Sequence, residues 1–269
     1  MNIIKTLLRY LRLWWKLARF SASLEMEYRF SFLLEIFVEC AFFMVTLFGM
    51  RVVFWNVTDV AGWTYPQLLM LYGINMVFSE LVLGFVFIYN LRDLPHKIAQ
   101  GTLDTILTKP INSQFAVSLW RPYFAMFPSL LSGIIIAVIG FRGTGSTFQM
   151  SSIVPFLIVF GSGLVMAYSL GMMITTLSMW FINAQPLPML AQQFIHLSKH
   201  PYSIYSGMWK IVSLSIIPVA FMVSIPSSIL LGILEWWWMP GSLLVAAVFL
   251  YASNLFWNFA LKKYSGASA

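Results

Sequence analysis

The sequence predicts an all-α polytopic membrane protein, with about six transmembrane helices following an amino-terminal amphipathic helix. The first observation is composition: 60% of the 269 residues are hydrophobic and 9% are charged, against about 25% charged residues in an average soluble domain. The second is the recurrence of runs of about 20 mostly apolar residues, each long enough to cross a hydrocarbon core of about 30 Å as a helix. The third is that most of the basic residues lie in a few polar segments, at the amino terminus, at 92–114 and at Lys262 and Lys263.

Residues 1–26 predict an amphipathic helix that lies in the membrane interface. Their basic side chains recur at alternating spacings of four and three, which places them on one helical face, and the leucines fall largely on the other. A signal peptide separates its charged and apolar parts along the sequence, not around a helix. We therefore expect contact with anionic lipid through Lys5, Arg9, Arg12, Trp14, Trp15, Lys16 and Arg19.

Residues 27–269 predict a single transmembrane domain with six crossings. Hydropathy favours 208–231 as the fifth crossing. The alternative is a crossing at 182–205 followed by a re-entrant hairpin at 208–231 that is broken at Pro218 and Pro226, which needs cover by protein or by a water-filled cavity. The other crossings are expected at about 28–55, 67–90, 116–141, 153–180 and 241–261.

The distribution of positive charge predicts that both termini lie in the cytoplasm. With six crossings, the amino-terminal helix, the segment 92–114 and the pair Lys262 and Lys263 share one side of the membrane. The loops on the other side offer little besides Arg142. An excess of Lys and Arg marks the cytoplasmic side.

Motifs of enzymes are missing from the sequence. The three histidines form no H-E-x-x-H zinc-binding motif, because "HLSKH" at 196–200 lacks its glutamate. "GSG" at 161–163 predicts close helix packing, not a nucleophile elbow, and "GTGST" at 143–147 lacks the Gly-Lys-Ser/Thr ending of a phosphate loop. We therefore expect a non-catalytic chain that binds no metal and no cofactor.

Three acidic residues fall inside predicted crossings, where a carboxylate is costly and tends to be functional. Glu35 and Glu39 are four residues apart and share a helical face, and Glu80 lies in the second crossing. They are candidates for a substrate path or for a proton relay, and the alternative is a purely structural role. A proton relay would make the protein a secondary transporter.

The segment 92–114, "RDLPHKIAQGTLDTILTKPINSQ", is too short and too polar to cross the membrane. Pro95 suits the first turn of a helix, and Pro110 would end a helix near Thr108. Gly101 divides the segment into two short helical pieces. We expect an apolar stripe, exposed and rimmed by charges, that serves as a docking surface for a soluble partner.

The pattern "IAQGTLDTILTKPI" at 98–111 resembles the Gly-x-Leu-Asp/Glu…Leu…(Lys/Arg)-Pro motif that follows the second crossing in permease subunits of ABC-2-type ABC transporters. "IIPVAFMVSIP" at 216–226 and the ending "LKKYSGASA" are similar to one branch of these permeases. The resemblance slightly favours the re-entrant hairpin at 208–231. It also implies that 92–114 is a coupling helix, with ATPase-coupling residues His96, Lys97, Gly101, Thr102, Leu103, Asp104, Leu107, Lys109 and Pro110.

The same resemblance implies a function. The chain would be the permease of an ATP-driven exporter for a lipid-like, amphipathic or drug-like substrate in a bacterial cytoplasmic (inner) membrane. A separate cytosolic ATPase would bind ATP and Mg²⁺, and a second copy or a sister permease would complete a dimer. In this scheme Leu103 and Leu107 face a groove of the ATPase, and Asp104 caps or pairs with a basic residue there.

Overall fold

The computed structural model describes residues 3–26, 29–147, 149–181 and 183–264. These residues are mostly helical, with one two-stranded antiparallel hairpin, β1 (Asp59–Val60) and β2 (Trp63–Thr64). One turn of π-helix extends the third helix, and another precedes the eleventh. The helices are α1 (Ile3–Met26), α2 (Arg29–Val53), α3 (Tyr65–Val82), α4 (Leu94–Ala99), α5 (Thr102–Leu107), α6 (Ser113–Ser118), α7 (Phe127–Gly143), α8 (Ile153–Thr176), α9 (Pro186–His196), α10 (Met208–Ser215), α11 (Ile225–Leu230) and α12 (Trp238–Lys263).

Three helical stretches are long and apolar enough to cross a membrane on their own. They are Tyr65–Phe87, Met150–Met179 and Trp238–Lys263, and they occupy the predicted second, fourth and last crossings. Two shorter apolar helices, Cys40–Val53 and Phe127–Gly143, overlap the predicted first and third crossings. The prediction of an all-α polytopic membrane protein is therefore confirmed.

The third crossing begins later than the sequence predicts. The expected start was near residue 116, but α6 ends at Ser118 and α7 begins only at Phe127. Pro122 lies in the irregular stretch between them. Proline lacks the N–H that a helix interior needs, and it also disfavours helical backbone at the residue before it. An apolar composition alone does not reveal this break.

The region around the fifth crossing also differs from the expectation. In the alternative crossing at 182–205, the α-helix α9 has only 11 residues and spans roughly 16 Å at 1.5 Å per residue. Residue 182 itself lies outside the described residues. The helices Met208–Ser215 and Ala220–Leu230 form a pair bent by 68°, the shape of a broken crossing or of a re-entrant hairpin. Pro218 lies at the bend, whereas Pro226 lies in the first turn of α11 and causes no break.

Glycines allow close contact between the long helices. α3 packs along α7, and a Cβ atom added at Gly73 or Gly140 would collide with the backbone of the other helix. Gly163 of α8 is similar, because its Cβ would lie 2.8 Å from the Met222 Cα. The prediction of close packing in "GSG" is confirmed there, but it is wrong for Gly161, which has open space on that side. Small residues let membrane helices approach closely.

Candidate functional site

The segment 92–114 folds into two short helices joined at a glycine, as its sequence predicts. Pro95 lies in the first turn of α4, and α5 ends at Leu107 with Thr108 as its cap. Between them Gly101 has a φ of 69°, in the left-handed region. Glycine adopts this conformation without the steric cost that a Cβ atom imposes. The bend between α4 and α5 therefore depends on this residue.

The apolar side of the segment faces the protein, not the solvent. Leu94 and Leu103 are fully buried, and Ile98, Ile106 and Leu107 pack against the main hydrophobic core. The expectation of an exposed apolar stripe is therefore wrong, and so is the placement of Leu103 towards a partner. Burial of these side chains removes apolar area from water and fastens the segment to the helices behind it.

The exposed side of the segment is polar. Thr102, Thr105 and Thr108 follow one another at a spacing of three, and all three are exposed. Their hydroxyls donate to backbone carbonyls of Lys97, Thr102 and Thr105 over 3.2, 2.7 and 3.0 Å, respectively. Of the predicted coupling residues, those on the exposed side are His96, Thr102, Lys109 and Pro110, and those that are half-buried are Lys97, Gly101, Asp104 and Leu107.

Charged residues of the segment have partners within the chain. The Lys97 ammonium lies 3.4 Å from the Asp93 carboxylate, and the Lys109 ammonium lies 4.4 Å from the centre of the Trp120 ring. Asp104 lies beside Tyr264, whose pKa is raised by burial and further by this carboxylate. Asp104 therefore lies near the end of α12, which Tyr264 follows directly.

Hydrogen bonds connect α6, which contains the end of the segment, to two long helices; we call these bonds the α6 seam. From α12, the Asn254 amide donates to Gln114 Oε1 over 3.0 Å and the Trp257 indole donates to Ser113 Oγ over 3.0 Å. From α8, the Tyr168 hydroxyl lies 3.1 Å from Ser118 Oγ. The seam is the part of the site that the sequence analysis missed. The sequence feature that could have indicated the seam is Asn254, an amide side chain inside the last apolar run.

Asn90 connects the other end of the segment to the break before α7. Its side chain is fully buried and donates to the carbonyls of Phe85 and Arg121 over 2.9 and 3.0 Å. It also accepts a bond from the Arg121 N–H over 2.9 Å, and the Tyr123 N–H donates to the Gly84 carbonyl over 2.9 Å. The non-helical stretch is thus fixed against the π-turn that ends the second crossing.

Helix α1 lies against the same region. The Glu25 carboxylate accepts bonds from the backbone N–H groups of Phe124 and Ala125 over 2.9 and 2.8 Å. The Trp14 ring packs 5.7 Å from that of Phe85, so of the two predicted interface tryptophans only Trp15, which is 56% exposed, faces outward. The basic residues Lys5, Arg9, Arg12, Lys16 and Arg19 are all exposed.

The predicted intramembrane acids are only partly described. The side chains of Glu35 and Glu39 lie outside the described part of the chain, and Glu80 is half-buried on α3. Among the described residues, no group of three or more His, Cys, Asp or Glu side chains could hold a metal ion.

A large apolar groove opens between α3, α7, α8 and α11. Its volume is about 620 Å³, and the one charged side chain among its described lining residues is that of Arg142, which is exposed. Pockets of about 300–1,000 Å³ with mainly apolar walls are typical of small-molecule sites. The lining includes Met70, Ile74, Ala137, Phe156, Phe160 and Leu230.

The described helices and the attached polar segment define a multi-pass helical membrane protein. A family model described as "ABC-2 family transporter protein" matches residues 40–268, and the chain therefore belongs to the ABC-2 transporter family. It is a permease of an ABC transporter, a transport subunit of the membrane, and family membership implies partnering with an ABC ATPase subunit. Comparisons with curated proteins and with solved structures gave no match.

Proposed function

We propose that this chain is the permease subunit of an ATP-driven exporter in a bacterial inner membrane, and that the segment 92–114 docks on a cytosolic ATPase. The permease pairs with a second permease chain, and the ATPase binds ATP and Mg²⁺. The observation that carries the proposal is the two-sided construction of the segment. Its exposed side presents a row of threonines between charged residues, and its other side is buried in the core.

Such a construction suits the transmission of movement. A force on the exposed side of α5 passes to the core through Leu103, because a fully buried side chain cannot shift without moving its neighbours. The movement then passes through the hydrogen bonds of the α6 seam to α8 and α12. It also reaches the non-helical stretch before α7 through the bonds between Asn90 and Arg121. Nucleotide binding can drive this change only if it favours one state of the permease over another.

Positive charge supports the cytoplasmic placement of the segment. Arg92, Lys97 and Lys109 lie in it, and the basic face of α1 lies next to it. The carboxy-terminal pair Lys262 and Lys263 ends α12 on the same side, because Tyr264 lies beside Asp104. An excess of basic residues is typical of the cytoplasmic side.

The apolar groove supports a lipid-like or amphipathic cargo. Its walls offer apolar area for a hydrocarbon chain, and Arg142 supplies one positive charge for a polar head. A drug-sized molecule would find few polar partners there beyond this guanidinium. Leu230, which lines the groove, belongs to α11 in the bent pair of helices.

The experiment compares two exposed threonines. Thr105→Arg places a charge and added bulk in the row on α5, and Thr147→Arg makes the same change in the loop before α8. A misplaced charge at an interface costs several kcal/mol, and each step of about 1.4 kcal/mol is tenfold in affinity. We expect Thr105→Arg to reduce co-purification of the ATPase, identified by mass spectrometry and by ATP hydrolysis, at least tenfold, and Thr147→Arg to leave it unchanged.

Two results would contradict the proposal. One is equal recovery of active ATPase with Thr105→Arg and with the wild-type chain, provided that both are inserted in similar amounts. The other is transport in reconstituted vesicles driven by a proton gradient without ATP. The second result would instead assign the activity to the alternative class of proton-coupled secondary transporters, with Glu35, Glu39 and Glu80 as the relay candidates.

A further inference from the structure

A second pocket opens between α1 and the end of the segment 92–114. Its volume is about 460 Å³, and unlike the apolar groove it has four basic side chains in its wall. Three apolar side chains complete the lining, and one of them belongs to the segment, not to α1. The lining residues are Lys5, Leu8, Arg9, Arg12, Leu13, Lys16 and Ile111.

The charge in this pocket is of one sign. No carboxylate is among the described residues that line it. The acidic residue of α1 is Glu25, whose carboxylate is used by the backbone N–H groups of Phe124 and Ala125. Clustered guanidinium and ammonium groups favour an anion, and guanidinium matches the geometry of phosphate.

The apolar part of the lining distinguishes a phospholipid from a free phosphate. Leu8, Leu13 and Ile111 give the pocket an apolar side beside its cations, which a small inorganic ion could not use. Leu11 and Trp15 are both 56% exposed, so α1 also presents large apolar side chains that suit a membrane surface. A headgroup with attached acyl chains fits both features.

The pocket is tied to the segment by direct contacts. Arg9, which lines the pocket, donates to the Pro110 carbonyl over 3.4 Å. Next to it, the Tyr10 hydroxyl accepts a bond from the Asn112 N–H over 2.9 Å, and the Tyr10 ring lies 5.1 Å from that of Phe115. A ligand that held α1 in place would therefore also hold the end of the segment.

We propose that this pocket binds the phosphate headgroup of an anionic phospholipid and thereby fixes α1 against the segment 92–114. The binding itself is independent of any ATPase. Its consequence, a higher rate of ATP hydrolysis by the complex in anionic membranes, rests on the proposed function. The lipid site and its effect on ATP hydrolysis can therefore be refuted independently of each other.

The test measures lipid bound to the full chain alone, without a partner. Native mass spectrometry follows phosphatidylglycerol or phosphatidylcholine retained by the wild-type chain, by Arg12→Gln with Lys16→Gln, and by a control with Arg51→Gln and Lys199→Gln, two exposed residues outside the pocket. Both variants lose two positive charges, but only the first pair lines the pocket. Since each basic residue near an anionic surface contributes on the order of a few-fold in affinity, we expect roughly tenfold weaker phosphatidylglycerol binding in the first variant only.

Three outcomes of the binding measurement would overturn the proposed lipid site. An equal loss in both variants would show a general attraction of the basic chain for anionic lipid. Equal retention of phosphatidylglycerol and phosphatidylcholine by the wild-type chain would show that the headgroup charge is not recognised. Displacement of phosphatidylglycerol by millimolar inorganic phosphate would assign the pocket to a free anion. If lipid binds as expected but anionic vesicles do not raise ATP hydrolysis, the site stands and its coupling to an ATPase fails.

Discussion

The segment 92–114 and the loop before α8 are both polar connections between apolar helices, yet they are built differently. The segment contains two helices, and its Leu103 is fully buried. In the loop, Gly145 has open space where a Cβ would lie, and Met150, where the next helical stretch begins, is 74% exposed. Polar composition therefore does not distinguish a linker from a folded element. The distinction lies in the apolar side chains that the connection buries.

The largest effect that this comparison predicts is on stability. Leu103→Ala empties a filled position in the core, and Leu→Ala changes of this kind cost about 2–5 kcal/mol. Met150→Ala removes a side chain that is mostly exposed, so its cost should stay within about 0.5 kcal/mol. Thermal unfolding of the purified chain in detergent measures both. Equal stability of the two variants would show that the segment is not anchored by its leucine.

A smaller effect is expected at the α6 seam. Gln114→Leu and Asn254→Leu each remove one partner of a part-buried bond, which leaves a polar group unsatisfied at a cost of about 1–3 kcal/mol. The two changes together should cost less than the sum, with a coupling energy of about 0.5–3 kcal/mol in a double-mutant cycle.

Asn258 provides the control for that cycle. It lies one turn further along α12, is exposed and donates to Asn254 Oδ1 over 2.9 Å. The pair Gln114→Leu and Asn258→Leu should show a smaller coupling energy, because the two side chains are not bonded to each other. Coupling of the same size in both pairs would mean that the seam is not a specific connection between α6 and α12.

Local features of the sequence were enough to predict most of the helices. Hydropathy placed the long crossings within a few residues, because about 20 apolar residues in a row suit few structures other than a membrane helix. Local backbone chemistry also predicted α4 and α5, because Pro95 fixes a backbone angle suited to the first turn of a helix and Gly101 permits the left-handed conformation between the two helices. Local rules thus sufficed for the elements.

What the sequence did not predict depends on packing between distant residues. A short apolar stripe on α5 is consistent with a docking surface and with burial against the core, and only the neighbouring helices decide between them. The seam joins Ser113 to Trp257 across 144 positions, which no local pattern reveals. The break before α7 combines Pro122 with the side chain of Asn90 from the preceding crossing, and composition shows neither partner.

The central claim is that the exposed side of α5 contacts an ATPase, and site-specific crosslinking tests it most directly. In a Cys40→Ser background, which removes the one native cysteine, Thr105→Cys and Thr147→Cys each carry a thiol-reactive benzophenone. Upon irradiation of native membranes, we expect the label at position 105 to crosslink to an ATP-binding subunit and the label at 147 not to. Crosslinks to that subunit from 147 but not from 105 would contradict the account.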